Sequence, residues 1–84
     1  MPPLQSTSHD VSARELDLLV YLVRHAGETL SRDRILSDVW GYERPPLTRT
    51  VDMHVSWLRQ KLEADSRRPR HIRTVHGVGY RFVP

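Results

Sequence analysis

Thr48-Arg49-Thr50-Val51-Asp52-Met53-His54-Val55-Ser56-Trp57-Leu58-Arg59-Gln60-Lys61-Leu62-Glu63-Ala64 is the stretch on which the fold turns. Val51, Val55, Leu58 and Leu62 recur at spacings of four, three and four. At about 3.6 residues per turn, such positions share one side of a helix. The opposite side carries Arg49, Met53, Ser56 and Gln60. The spacing therefore predicts a helix from about Thr48 to Ala64 with one side in a core and the other turned out.

Upstream, Ser12-Ala13-Arg14-Glu15 matches a capping box, in which the Ser hydroxyl accepts the third helical N–H and the Glu reaches back. A helix is expected from there to about His25. Its Leu16, Leu18, Leu19, Val20, Leu22 and Val23 cover more than one stripe, which calls for cover on two sides. Gly27 is placed to end it. Thr29-Leu30 reads as a short extended link. Ser31 is a second N-cap candidate, before a helix from about Arg32 to Trp40 that offers Ile35, Leu36, Val39 and Trp40 to the core. Gly41 stops it, and Pro45 and Pro46 keep residues 41–47 out of a helix.

Downstream, residues 65–70 are a polar loop. Ile72, Val75, Tyr80 and Phe82 then alternate around Gly77-Val78-Gly79, which reads as a terminal hairpin with both glycines at positive φ. Phe82 is a core candidate. Residues 1–11, with Pro2, Pro3, Ser6, Thr7 and Ser8, read as a flexible tail, leaving 12–84 as the folded domain.

The chain has 84 residues, enough for one small domain and too few for a large cofactor cage. It has no Cys, which excludes disulfide scaffolds and thiolate chemistry. No window is apolar enough to span a membrane and no export signal is visible, so a cytoplasmic location is expected. Asp52 and His54, two apart on a helix, point in different directions, and His71 and His76 fall on opposite faces of a strand. No metal, cofactor or catalytic set emerges, so an enzyme is not expected.

Charge is divided unevenly. Residues 1–47 hold five Arg against seven acids, and residues 48–84 hold seven Arg and one Lys against three. The basic excess thus lies on the third helix and the hairpin, where it would attract a polyanion. Arg67, Arg68 and Arg70 read equally well as a solvated loop.

Two short helices with a tight link, a third amphipathic helix and a hairpin make the order of a winged helix-turn-helix, mainly α with a small β hairpin. Residue identities sharpen this. Leu30-Ser31-Arg32-Asp33-Arg34-Ile35-Leu36, Val39-Trp40-Gly41, Arg49-Thr50-Val51-Asp52-Met53-His54-Val55, Leu58-Arg59-Gln60-Lys61-Leu62-Glu63 and Ile72-Arg73-Thr74-Val75-His76-Gly77-Val78-Gly79-Tyr80-Arg81-Phe82 closely resemble the OmpR/PhoB-type output domain of bacterial response regulators. The resemblance spans roughly residues 12–83.

The resemblance implies a two-component transcription regulator that binds double-stranded promoter DNA as a dimer on direct repeats. The third helix would enter the major groove. Carried over by position, Arg49, Thr50, His54, Arg59 and Lys61 would face phosphates or base edges, with Met53 and Ser56 on the same helix. Thr74 and Tyr80 would hydrogen-bond the DNA backbone from the wing, and Trp40, first a core residue, would pack near a phosphate. The loop 41–47 would approach RNA polymerase. Arg suits phosphate or guanine, and hydroxyls at a helix start can hold a phosphate beside free N–H groups. Asp52, the one acid on this helix, would favour the helix dipole or orient Arg59.

Several positions depart from the family. Ser56 and Trp57 stand where relatives often carry Arg; Trp57 would touch a thymine methyl or sugar, or pack against a neighbouring subunit. His76 stands at the wing turn where Arg commonly enters the minor groove, and histidine changes charge near pH ~6.5, so wing binding should strengthen as pH drops. Relatives begin with a four-stranded sheet that the eleven leading residues cannot supply; the first helix should be partly bare, and the domain less stable or self-associating. No receiver domain with an acidic phosphoacceptor pocket is visible. The rival reading is a protein-interaction module that pairs with a full-length regulator without binding DNA.

Overall fold

The computed structural model describes residues 11–41 and 47–84. The expected tail lies outside the described residues except for Val11, as does most of the loop 41–47. Helix α1 (Ala13–Arg24) begins at the capping box: Ser12 Oγ accepts from Glu15 N at 3.1 Å, and Glu15 Oε1 accepts from Ser12 N at 2.9 Å. Gly27, at φ 88°, turns the chain out of the helix. Strand β1 (Leu30–Ser31) follows, then α2 (Arg32–Ile35), whose cap Ser31 accepts from Arg34 N at 3.0 Å. Helix α3 spans Arg49–Leu62, and strands β2 (Ile72–Val75) and β3 (Gly79–Phe82) form the hairpin. No helix among the described residues is long and apolar enough to cross a membrane.

The second helix departs from expectation in its last turn. Leu36–Trp40 is π-helical, with Gly41 N bonding Leu36 O at 3.3 Å as well as Ser37 O at 3.0 Å. One extra residue in a turn rotates the side chains that follow. Arg14 of α1 reaches across to the Val39 carbonyl at 2.5 Å, so an acceptor near the end of that turn has a partner.

The extended link proves to be a strand. Leu30 and Ser31 pair antiparallel with Tyr80 and Gly79, making a three-stranded sheet in the order β1-β3-β2. In the hairpin, Ile72 faces Phe82 and Val75 faces Gly79. This register corrects the reading of the two glycines. Gly77 has φ 79° in the turn, but Gly79 has no positive φ: a Cβ there would overlap the Leu30 carbonyl oxygen on the neighbouring strand. Gly79 serves close approach of two backbones.

Leu18 and Leu22 of α1, Leu30, Ile35, Leu36, Val51, Val55 and Leu58 of α3, Ile72 and Tyr80 form one buried cluster. Phe82, Val39 and Trp40 pack at its margin, half-buried. Leu62 breaks the expected stripe of α3: it is 45% exposed, because the helix ends there and Glu63 turns inward instead. Glu63 is buried and accepts from the backbone N–H groups of Arg70 (2.9 Å), His71 (3.0 Å) and Ile72 (2.8 Å). It thereby fastens the entry of β2 to the end of α3. Burial pushes its carboxyl up, but these N–H groups outweigh burial and hold it below the usual carboxylate range. On the side of α1 away from this cluster, Leu16, Val20 and Val23 are exposed.

Candidate nucleic-acid interface

Val51, Val55 and Leu58 point into the core, which fixes the rotation of α3 and turns Arg49, Met53, Ser56, Trp57 and Gln60 to solvent. The hairpin stands beside this face, with its turn residues His76, Gly77 and Val78 exposed. From α3 onward among the described residues, the side chains of Arg49, Arg68, Arg70, Arg73 and Arg81 pair with no carboxylate. Their charge is therefore available to an external anion. No group of three or more His, Asp or Glu that could hold a metal stands together among the described residues.

His54 is half-buried between Trp40 and Trp57, with ring centroids 5.0 and 4.9 Å away, and its Nδ1 lies 2.8 Å from the Thr50 carbonyl. Arg14 stands over the other end of this row, 5.4 Å from the Trp40 ring. Trp40 thus fills the joint between the second and third helices, in keeping with a core role, while Trp57 is 40% exposed at the outer end.

Four expected contact residues are engaged inside the protein. Lys61 is turned away from the exposed face, toward α1, where its Nζ lies 2.8 and 2.9 Å from the two Glu15 oxygens. Burial pushes the Glu15 carboxyl up, but hydrogen bonds from Lys61 and Ser12 outweigh it and hold the pKa low. Arg59 donates to the Ile72 carbonyl (3.0 and 2.8 Å) and to Thr74 Oγ1 (2.8 Å), and its guanidinium stands 5.5 Å from the Tyr80 ring. Tyr80 is buried, and its hydroxyl donates to Asp52 Oδ1 at 2.6 Å, where a hydrogen bond to DNA was expected. The Arg59 and Tyr80 contacts brace α3 against the hairpin, and the Lys61–Glu15 pair ties it to α1.

Asp52 is also read differently. Its second oxygen accepts from Arg32 at 2.6 Å, so it joins α2 to β3 and does not orient Arg59. Sequence reasoning missed Arg32, which lies 20 residues from its partner with no local pattern to link them. The start of α3 is less open than expected: Thr50 N and Val51 N already bond Leu47 O (2.8 Å) and Thr48 O (2.9 Å), and Thr48 makes no side-chain cap. A phosphate there would meet fewer free N–H groups.

Residues 6–82 match the family model described as transcriptional regulatory protein, C terminal. The chain belongs to this family. It is 44% identical over 73 residues to the alkaline phosphatase synthesis transcriptional regulatory protein PhoP of Bacillus subtilis, a match covering 87% of this chain and 30% of that protein. The response regulator DrrB of Thermotoga maritima, an OmpR/PhoB homologue, superposes with a TM-score of 0.81 at 33% identity over 89% of this chain and 34% of that one. The DNA-binding domain of Klebsiella pneumoniae RstA, solved in complex with the RstA box, superposes with a TM-score of 0.77 at 35% identity over 88% of this chain and 73% of that one. The winged helix-turn-helix architecture of a transcriptional regulatory C-terminal domain is thus established, and the chain spans about a third of the length of its full-length relatives.

Proposed function

We propose that this domain binds double-stranded promoter DNA in a sequence-specific manner, as the output domain of a cytoplasmic two-component response regulator, without catalysis. The observation that carries the reading is the solvent face of α3, where Arg49, Met53, Ser56 and Trp57 stand exposed together beside an exposed wing turn, with Trp57 resting against the His54 ring. The major groove admits a helix of this width. Arg49 contacts phosphate or a base edge, Ser56 and Trp57 lie along the groove, and His76 approaches the adjacent minor groove. Thr50 and His54 line the near edge. Arg59, Thr74 and Tyr80 act mainly by holding α3 and the hairpin in register, Lys61 by tying α3 to α1 through Glu15, and Trp40 by supporting His54.

Support comes from the likeness to a domain solved on its own DNA box. Binding as two copies on direct repeats, and contact of the loop 41–47 with RNA polymerase, belong to the same proposal. Titration of promoter fragments across salt is the test. Affinity should fall with a log–log slope of about −0.9 per neutralised phosphate. Salt-insensitive binding, or no DNA shift at all, would overturn the reading and favour the protein-interaction module. Footprints of two adjacent half-sites would support the repeat arrangement.

A further inference from the structure

Helix α3 carries Arg49, Arg59 and Lys61, but only Arg49 is on its outer side without a carboxylate among the described residues. Arg59 is held by the Ile72 carbonyl and Thr74, and Lys61 by Glu15. The rest of the outer side is uncharged, and Trp57 is its largest side chain, 40% exposed. Met53, one turn earlier on the same side, is 44% exposed and extends the apolar surface.

The indole is supported from the core outward. Trp40 packs against the buried cluster and meets the His54 ring edge-on, 5.0 Å between centroids. A carbonyl oxygen has no hydrogen to give, so the 2.8 Å contact makes His54 Nδ1 a donor to the Thr50 carbonyl, which ties the imidazole to its own helix. Trp57 rests against the far side of this row, 4.9 Å from the His54 ring.

An indole offers a wide apolar surface and one N–H donor, so it cannot make the bidentate pair that recognises guanine. Of the groups that base edges show in the major groove, the thymine C5-methyl is the apolar one. A sugar is present at every nucleotide and contact with it carries no sequence information. We propose that Trp57 is a specificity-determining residue, selecting duplexes that place a thymine methyl against the indole. The selection rests on the DNA-binding function proposed for α3. Its attraction comes from removing apolar surface from water, so it releases no counterions.

Duplexes selected by the 84-residue chain from a random-sequence library test it. Each thymine of the selected duplex is replaced singly by deoxyuridine, which lacks only the methyl group. At one position or more the replacement should weaken binding by roughly two- to fivefold, the worth of a buried methyl group. Trp57→Ala, with an unchanged circular-dichroism spectrum, should bind the thymine and deoxyuridine duplexes equally there, with the salt slope of the native chain. Trp57→Arg, selected afresh on the same library, should exchange that thymine for guanine. A native chain that selects no duplex loses the DNA-binding function and this inference with it. Selected duplexes that are indifferent to the methyl group at every thymine overturn the role of Trp57 alone, as do a methyl preference that survives in Trp57→Ala and selection of the same thymine by Trp57→Arg.

Discussion

The Tyr80 hydroxyl donates to Asp52 Oδ1 at 2.6 Å while Asp52 Oδ2 accepts from Arg32 at 2.6 Å, so one carboxylate ties α2, α3 and the last strand together. Three more bonds follow the same line, two from Arg59 to the Ile72 carbonyl and one to Thr74 Oγ1. The angle between the exposed helix face and the wing is therefore set by side chains inside the protein.

Tyr80→Phe removes the donor and leaves Asp52 with Arg32. Stability should drop by about 1.5–3 kcal/mol, the range for a hydrogen bond to a charged group, as measured by urea unfolding. Burial, then the Asp52 carboxylate, push the Tyr80 phenol up to about 12. Because the folded-state pKa exceeds the unfolded value of about 10, this contribution is full below pH ~10 and is lost as pH rises through ~12. Burial and Asp38 likewise push Tyr21 up to about 12. The variant should accordingly lose part, not all, of the alkaline decline seen in the native protein.

Glu63→Ala strips the acceptor from three backbone N–H groups at the entry of β2. A loss of roughly 2–3 kcal/mol is expected, together with a melting temperature lower by about 10 °C or more. In the native protein the depressed Glu63 and Glu15 carboxyls give stability that is present above the ordinary carboxylate range and lost as pH falls through their lowered values. Unfolding curves between pH 7 and pH 2 should show a shallower acid limb in Glu63→Ala than in the native chain.

Gly79→Ala should destabilise by about 1–3 kcal/mol, since its methyl meets backbone that must shift. Val78→Ala, one residue earlier on an exposed turn position, should be within about 0.5 kcal/mol of native. Thermal melts of the pair separate close strand packing from turn effects.

Arg49→Ala should weaken promoter binding by roughly 1–3 kcal/mol without changing the melting temperature, because the side chain makes no intramolecular ion pair among the described residues. Fluorescence anisotropy at fixed salt measures this. Unchanged affinity would count against α3 as the reading helix.

His76→Ala addresses the wing. His76 is exposed in the turn, so the variant should keep the native melting temperature and bind promoter fragments more weakly at fixed salt, and unchanged affinity would count against a wing contact.

Local chemistry made much of this domain legible in the sequence. The capping box at Ser12 and Glu15, the cap at Ser31, the positive φ at Gly27 and Gly77, and the hairpin all depend on residues a few positions apart. The spacing of Val51, Val55 and Leu58 was enough to orient α3 and to name Arg49, Met53, Ser56 and Gln60 as its outer face. Periodicity failed at Leu62, where the helix ended and a buried carboxylate took the inward position.

The tertiary structure alone decided which polar side chains stay inside. Lys61 meets Glu15 across 46 residues, Tyr80 meets Asp52 across 28, and Arg59 meets Thr74 across 15. It also joined Leu30, the end of the expected link, and the cap Ser31 into a strand, which in turn demanded a glycine at position 79. The physical reason is range: helix periodicity, caps and turns follow from steric rules acting over a turn or two of chain. The partner of a long cationic or phenolic side chain depends on which distant backbone the core packing brings within hydrogen-bond reach.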